Sequence, residues 1–248
     1  MSWKIPVEYS AAVLSAVTPG IGGLGPRLSA VAREVPEGSV AADIGADHGH
    51  LSLGLLASGR ASFVHAIDAS KLALAGARQV LASEVARGRA AVHLGNGFEA
   101  LSRGNGDASP ECAVLAGIGS TTAMGIVRRG LALQHRPPRI VFQPSAGEHA
   151  VRRDMLELGY GIVSETLVAE GQRLFMVQSF EDGRGVTELK DLADLYVGPL
   201  LRKSSSPAMS AWLAVQASWL RRIVDRSRDE TAREQWRSRL MSIEALEG

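Results

Sequence analysis

The run Val40-Ala41-Ala42-Asp43-Ile44-Gly45-Ala46-Asp47-His48-Gly49-His50 sets an apolar stretch, a carboxylate and a glycine turn in front of Leu51-Ser52-Leu53-Gly54-Leu55-Leu56, which is patterned as a helix. Such a strand–turn–helix crossover opens a doubly wound parallel sheet, and ligands of that architecture sit at the carboxyl ends of its strands. The next apolar run, 61–67, ends in Asp68. That is about 20 residues past the turn, where such a sheet places a carboxylate against ribose hydroxyls.

The turn also discriminates between ligands. In its dinucleotide form, G-x-G-x-x-G, pyrophosphate rests on backbone N–H groups at the helix start. Here Gly45 and Gly49 frame Asp47 and His48 instead. A carboxylate in the turn repels pyrophosphate and suits a ligand carrying an amino-acid ammonium. Adenosine without phosphate but with such an ammonium describes S-adenosylmethionine, so the turn favours that cofactor over NAD or ATP.

Beyond the turn, 27–35 has helical spacing and stops at Pro36-Glu37-Gly38. Strands are predicted at 39–44, 61–67, 90–94, 112–116 and 139–143, alternating with helices near 48–58, 70–87, 120–133 and 146–158, as a parallel sheet requires. Two further strands, 160–168 and 173–180, are joined by Ala169-Glu170-Gly171-Gln172 as an antiparallel hairpin. A parallel sheet closed by such a hairpin resembles the class I methyltransferase (Rossmann-like) fold. After a boundary at 181–185, 187–203 and 207–246 read as a C-terminal helical hairpin, the second helix starting at Ser206-Pro207. The organisation expected is a 1–24 extension, a 25–182 cofactor-binding domain and a 187–248 helical, coiled-coil-like appendage.

Composition narrows the class. A net charge of +1 gives no global case for nucleic-acid binding, so any such surface is local. The single cysteine, Cys112, excludes an internal disulfide and fits a reducing cytoplasm, and it lies in a strand-like run. No apolar stretch is long enough for a membrane span, and no histidine cluster has metal-ligand spacing. A cytoplasmic monomer without a metal is expected.

Several blocks then occur in order: Leu28, Val31-Ala32, Val35-Pro36-Glu37-Gly38, Ala42-Asp43-Ile44-Gly45-Ala46-Asp47-His48, Gly95-Asn96-Gly97-Phe98, Ala116-Gly117-Ile118-Gly119-Ser120, Phe142-Gln143-Pro144, Arg152, Leu156 and Gly159-Tyr160. Together they resemble the bacterial TrmK-type family, which methylates N1 of adenine 22 in tRNA with S-adenosylmethionine. The likeness runs from about residue 24 to 180 and extends to the helical C-terminus. The family carries Asp where Asn96 stands, Met-Gly-Gly for Ile118-Gly119-Ser120, Asn for Ser145, Ala-Tyr for Gly49-His50, and Tyr for Phe175.

These readings assign roles. Asp68 is expected on the ribose hydroxyls, Gly45 at the close approach of the cofactor, and Gly97, Gly117 and Gly119 around it. Asn96 offers a side-chain oxygen to the adenine amino group. The resemblance puts Asp43 beneath the methionine moiety, Arg27 on its carboxylate, and Asp47 near the chemistry with His48 beside it. Ser120, Ser145 and Phe175 fall where the substrate base is expected, and Phe98 and Phe142 are the other candidate walls for a flipped base. Each has a plainer alternative: Asp43, Asp47 and Asp68 as helix caps, His48 as a cap neighbour, Arg27 as a surface cation and the phenylalanines as core. For RNA contact the candidates are Arg128-Arg129, Arg136 with Arg139, Arg152-Arg153 and Arg221-Arg222. Trp212, Trp219 and Trp236 have the spacing of a buried seam. Two rival functions stay open: the same fold acting on another nucleoside or small molecule, and a cofactor- or RNA-binding homologue without catalysis.

Overall fold

The computed structural model describes residues 3–15, 19–101 and 108–246. In chain order it builds β1 (Trp3–Lys4), α1 (Val7–Ser15), α2 (Pro26–Glu34), β2 (Ser39–Ile44), α3 (His50–Ala57), β3 (Ala61–Asp68), α4 (Lys71–Val80), α5 (Ala82–Ala86) and β4 (Ala90–Leu94). After a 3₁₀ turn at Gly97–Ala100 come β5 (Cys112–Ala116), α6 (Ser120–Ala132), β6 (Arg139–Gln143), α7 (Glu148–Glu157), β7 (Tyr160–Glu170) and β8 (Arg173–Asp182). The chain ends in α8 (Leu192–Tyr196), a 3₁₀ turn at Leu201–Lys203, α9 (Pro207–Arg226) and α10 (Glu230–Glu244).

Strands β4, β3, β2, β5 and β6 lie side by side and parallel, with Ile44 level with Ile67 on one side and Leu115 on the other. Their apolar, nearly continuous sequences follow from burial on both faces. One face packs on α2 and α3 through Val31, Leu55, Val64 and Val114, and the other on α6 and α7 through Ile44, Leu115, Met124 and Val151. Strand β8 adds antiparallel to β6, and β7 pairs along the far edge of β8. This is the Rossmann-like class I methyltransferase sheet that the sequence pattern predicts.

The register of the hairpin matters for the site. Phe142 faces Gln178, so residues 173–176 of β8 run beyond Gln143, the carboxyl end of β6. The overhanging part is paired with β1, Trp3 opposite Leu174 and Lys4 opposite Arg173. A pairing of two residues leaves no sequence signature, and β1 was not anticipated.

Three helix expectations need correction. The 70–87 segment is two helices, because Leu81 ends α4 and starts α5. In 187–203 only Leu192–Tyr196 is α-helical. The 207–246 segment breaks at Ser227, where extended backbone lets the Asp229 carboxylate cap α10 by accepting from the Thr231 and Ala232 N–H groups. The helical hairpin is therefore α9 against α10. It shares a core with the sheet hairpin and the N-terminal segment: Trp212, Leu220 and Ile243 pack with Ile5, Val13, Leu174 and Met176.

Candidate active site

The five parallel strands deliver their loops to one edge, and the turn after β2 is built on Gly45. Gly45 has φ +78°, and a Cβ there would lie 2.9 Å from Ile118 Cδ1 in the loop after β5. Only glycine meets both conditions without strain. The N–H groups of Gly45 and Ala46 both donate to Ile67 O, at 2.8 and 3.0 Å, which bends the turn toward β3. Asp47 follows in the left-handed region at φ +49°, a conformation that aspartate tolerates better than most residues. Its N–H donates to Asp68 Oδ2 at 3.0 Å, and Ser70 N–H donates to Asp68 Oδ1 at 2.8 Å. Asp68 is thus fixed at the end of β3, with one lone pair still free on each carboxylate oxygen. The Asp47 side chain is 73% exposed at the mouth.

Beneath the turn, Asp43 is buried and accepts the Ser52 hydroxyl at 2.7 Å. Burial pushes its carboxyl up to about 6, and the negative charge of Asp68 adds to the effect against the opposing Ser52 hydrogen bonds. On the far side of the mouth, Gly117 (φ +76°) has open space where a Cβ would stand, and its N–H donates to Gln143 O at 2.8 Å. Ser145 N–H donates to Ile118 O at 3.1 Å, Ser120 N–H donates to Ala146 O at 3.3 Å, and the Ser145 hydroxyl lies beside Gly119. These bonds couple the loops after β5 and β6. Asn96 is exposed at the end of β4.

At the hairpin end of the same edge, the Arg27 guanidinium donates to Gln143 Oε1 at 2.7 Å and to Glu170 Oε2 at 3.4 Å. It also stands 5.5 Å from the centroid of the Phe175 ring. Glu170 was not anticipated as a site residue; its signal was a carboxylate directly before the hairpin glycine, Gly171. Gln143 lies in the Phe142-Gln143-Pro144 block and Ser52 in the helical run after the turn, and neither carries a sequence signal of its contact. The structure therefore brings Asp43, Gly45, Asp47, Asp68, Asn96, Gly117, Gly119, Ser120 and Ser145 to one edge, with Arg27 and Phe175 at its end.

Other expected residues lie elsewhere. Phe98 is 1% exposed, stacked on His135 with centroids 5.9 Å apart and pressed on Gly130, so it cannot be a wall for a base. Gly97 is buried and is glycine because Ile126 of α6 occupies the place of a Cβ. Phe142 is buried edge-on to Phe180. The His48 ring lies against Gly76 of α4, with Nε2 3.7 Å from Asp47 Oδ1, outside hydrogen-bond range. Most of the candidate RNA-contacting arginines are engaged in ion pairs. Arg128 and Arg153 pair with Asp154, Arg129 with Glu99, Arg136 with Asp182, and Arg221 with Glu244. Arg139 pairs with Glu34 and Glu181, and Arg152 is fully buried. Trp212 is a core residue, and Trp219 packs edge-on to Trp236 at 5.8 Å. Among the described residues no helix is long and apolar enough to cross a membrane.

The chain is similar to known methyltransferases in sequence and in fold. The chain is 25% identical over 186 residues to the tRNA (adenine(22)-N(1))-methyltransferase of Bacillus subtilis, covering 74% of this chain and 76% of that protein. A solved structure of the Bacillus subtilis enzyme superposes with a TM-score of 0.79 at 20% identity, covering 91% of this chain and 99% of the other. A Streptococcus pneumoniae protein assigned as a tRNA (m1A22) methyltransferase, in complex with S-adenosyl-L-methionine, superposes with a TM-score of 0.79 at 22% identity, covering 91% and 100%. The family model described as a methyltransferase domain matches residues 24–178, from the helix that carries Arg27 to the strand that carries Phe175, and on that match the chain belongs to the methyltransferase-domain family.

Proposed function

We propose that this protein transfers the methyl group of S-adenosylmethionine to N1 of an adenine in tRNA. The observation that carries the reading is the pair Asp47 and Asp68, tied to each other beside the Gly45 turn, which itself lies against Ile118 of the loop that Ser145 N–H binds. The relatives described above supply the substrate class.

The residues fit the cofactor. Backbone at Gly45 and Gly117 carries no side chain to block close approach, and the two Asp68 oxygens retain lone pairs for the ribose hydroxyls. Asn96 would accept from the adenine amino group, and Asp43 would hold the amino-acid end. Arg27 uses Nε and Nη1 on Glu170 and Gln143, which leaves Nη2 for the cofactor carboxylate. The cofactor, when bound, supplies an electrophilic methyl group on a sulfonium.

Neutral adenine already carries a lone pair on N1, so no general base is needed there and the protein's task is alignment. Such positioning is worth up to about 7–11 kcal/mol in well-oriented reactions. The exposed Asp47 carboxylate orients the target by accepting from its exocyclic amino group. It then opposes the positive charge that the base acquires on methylation. Ser120, Ser145 and Phe175 form the opposite side of the mouth.

Labelled methyl transfer to unmodified tRNA, followed by nucleoside analysis, tests the reading. Label is expected in 1-methyladenosine. Asp47→Ala is expected to lower kcat by about 100-fold or more while leaving cofactor affinity nearly unchanged. Asp68→Ala should instead weaken cofactor binding by about 100-fold or more, the loss of two charge-assisted hydrogen bonds at about 1.5–3 kcal/mol each. Cofactor binding without any label in RNA would overturn the assignment.

A further inference from the structure

The overhanging tip of the sheet hairpin carries an arrangement that stability alone does not favour. Lys4 of β1 stands directly opposite Arg173 of β8, and both side chains are exposed. Like charges facing each other across a strand pair are destabilising. Among the described residues neither cation has a carboxylate within ion-pair distance. Glu170, opposite Arg173 on the other side, is already committed: its Oε1 accepts from Arg27 N–H at the start of α2 and its Oε2 pairs with Arg27 Nε. Lys4, Arg27 and Arg173 therefore meet one carboxylate, and the corner keeps a net positive charge.

The orientation of this corner is set by packing. Leu174 and Met176 are buried against the C-terminal helices, so the alternate residues Arg173 and Phe175 point to the other face, and Lys4, paired with Arg173, points with them. The turn is braced from the N-terminal segment by Ile5 N–H donating to Gln172 O at 2.9 Å and by the Ser10 hydroxyl donating to Gln172 Oε1 at 3.3 Å. Because β8 runs past the end of β6, the two cations stand beyond the carboxyl edge, beside the Phe175 ring and its Arg27 partner.

We propose that Lys4 and Arg173 form a cationic ledge that holds a phosphate of the RNA backbone next to the target nucleotide. The ledge rests on the RNA substrate proposed above. Directly opposite side chains have Cβ atoms about 5 Å apart, a span that one phosphate group bridges. The ledge adds no base discrimination, since a phosphate contact fixes register and orientation only.

The test measures tRNA binding and the KM for tRNA over a range of KCl concentrations, with wild-type protein and the double variant Lys4→Ala/Arg173→Ala. The variant is expected to raise KM several-fold and to lower the slope of log affinity against log salt by about 1. Its kcat at saturating tRNA and its S-adenosylmethionine affinity should match wild type. Its melting temperature should be unchanged or higher, because a repulsive pair is gone, and the charge-preserving Lys4→Arg/Arg173→Lys protein should bind RNA as wild type does. An unchanged slope and KM in a wild-type background that binds and methylates tRNA would overturn the ledge alone. Wild-type protein without salt-dependent RNA binding would overturn both the ledge and the proposed substrate.

Discussion

Asp43 bears its charge where water does not reach, and this links cofactor binding to pH. Its carboxyl is pushed up to about 6 by burial, against an unfolded value of about 3.9. The folded chain therefore holds this proton more tightly than the unfolded one. Stability contributed at this site falls as pH rises from about 4 to about 6, by about 3 kcal/mol, and is level above that range. A cationic ligand above Asp43 favours the ionised form, so its affinity changes in the opposite sense. Between pH 5 and 7 the Kd for S-adenosylmethionine is expected to fall about tenfold. Asp43→Asn, which can still accept the Ser52 hydroxyl, should flatten that dependence. Calorimetric titration at several pH values checks both statements, and an equally steep profile in the variant would remove Asp43 as its source.

At the scale of elements, the helix break at Ser227–Asp229 shows what the sequence conveys and what it conceals. The apolar stripe of 207–246 pauses across the charged stretch between Ile223 and Trp236, and that pause is the turn. Asp229 satisfies two N–H groups of α10, so Asp229→Ala is expected to cost about 1 kcal/mol in urea denaturation. Methyl transfer at saturating substrates should be unchanged. The parallel strands were legible because burial on both faces leaves unbroken apolar runs, and Asp68 was legible because the crossover fixes its distance from the glycine turn. Gly97 and Phe98 were legible only as residue types. Whether a glycine bares backbone to a ligand or yields to a neighbour such as Ile126 depends on which helix lies behind it. The ion pairs of the arginines were illegible for a related reason: carboxylate partners such as Glu34 for Arg139 and Asp182 for Arg136 come from distant parts of the chain.

At the scale of the whole molecule, Arg152 adds a polar tie between the sheet and the C-terminal segment to the apolar core they share. This guanidinium is fully buried; Nε donates to Glu165 Oε1 on β7, Nη1 to Leu195 O at 2.9 Å, and Nη2 to Val197 O at 2.8 Å. Glu165 Oε2 in turn accepts Leu200 N–H at 3.1 Å. The pair thus needs carbonyls and an amide from the segment at α8, and that segment needs the pair. Removing one partner strands a buried charge, so Arg152→Met alone is expected to cost about 3–5 kcal/mol. Arg152→Met with Glu165→Leu removes both charges but leaves the Leu195 and Val197 carbonyls and the Leu200 N–H without these partners, so it should recover only part of the loss. Ending the chain at residue 186 is the harsher case. It takes away the two carbonyls bound by Arg152, the amide bound by Glu165, and the apolar cover over Leu174 and Met176 on the back of the hairpin that carries Phe175. The shortened protein is therefore expected to lose cooperative thermal unfolding and cofactor binding together. A truncated chain that melts sharply and binds S-adenosylmethionine with wild-type affinity would show that the sheet keeps its carboxyl edge in order without the helices.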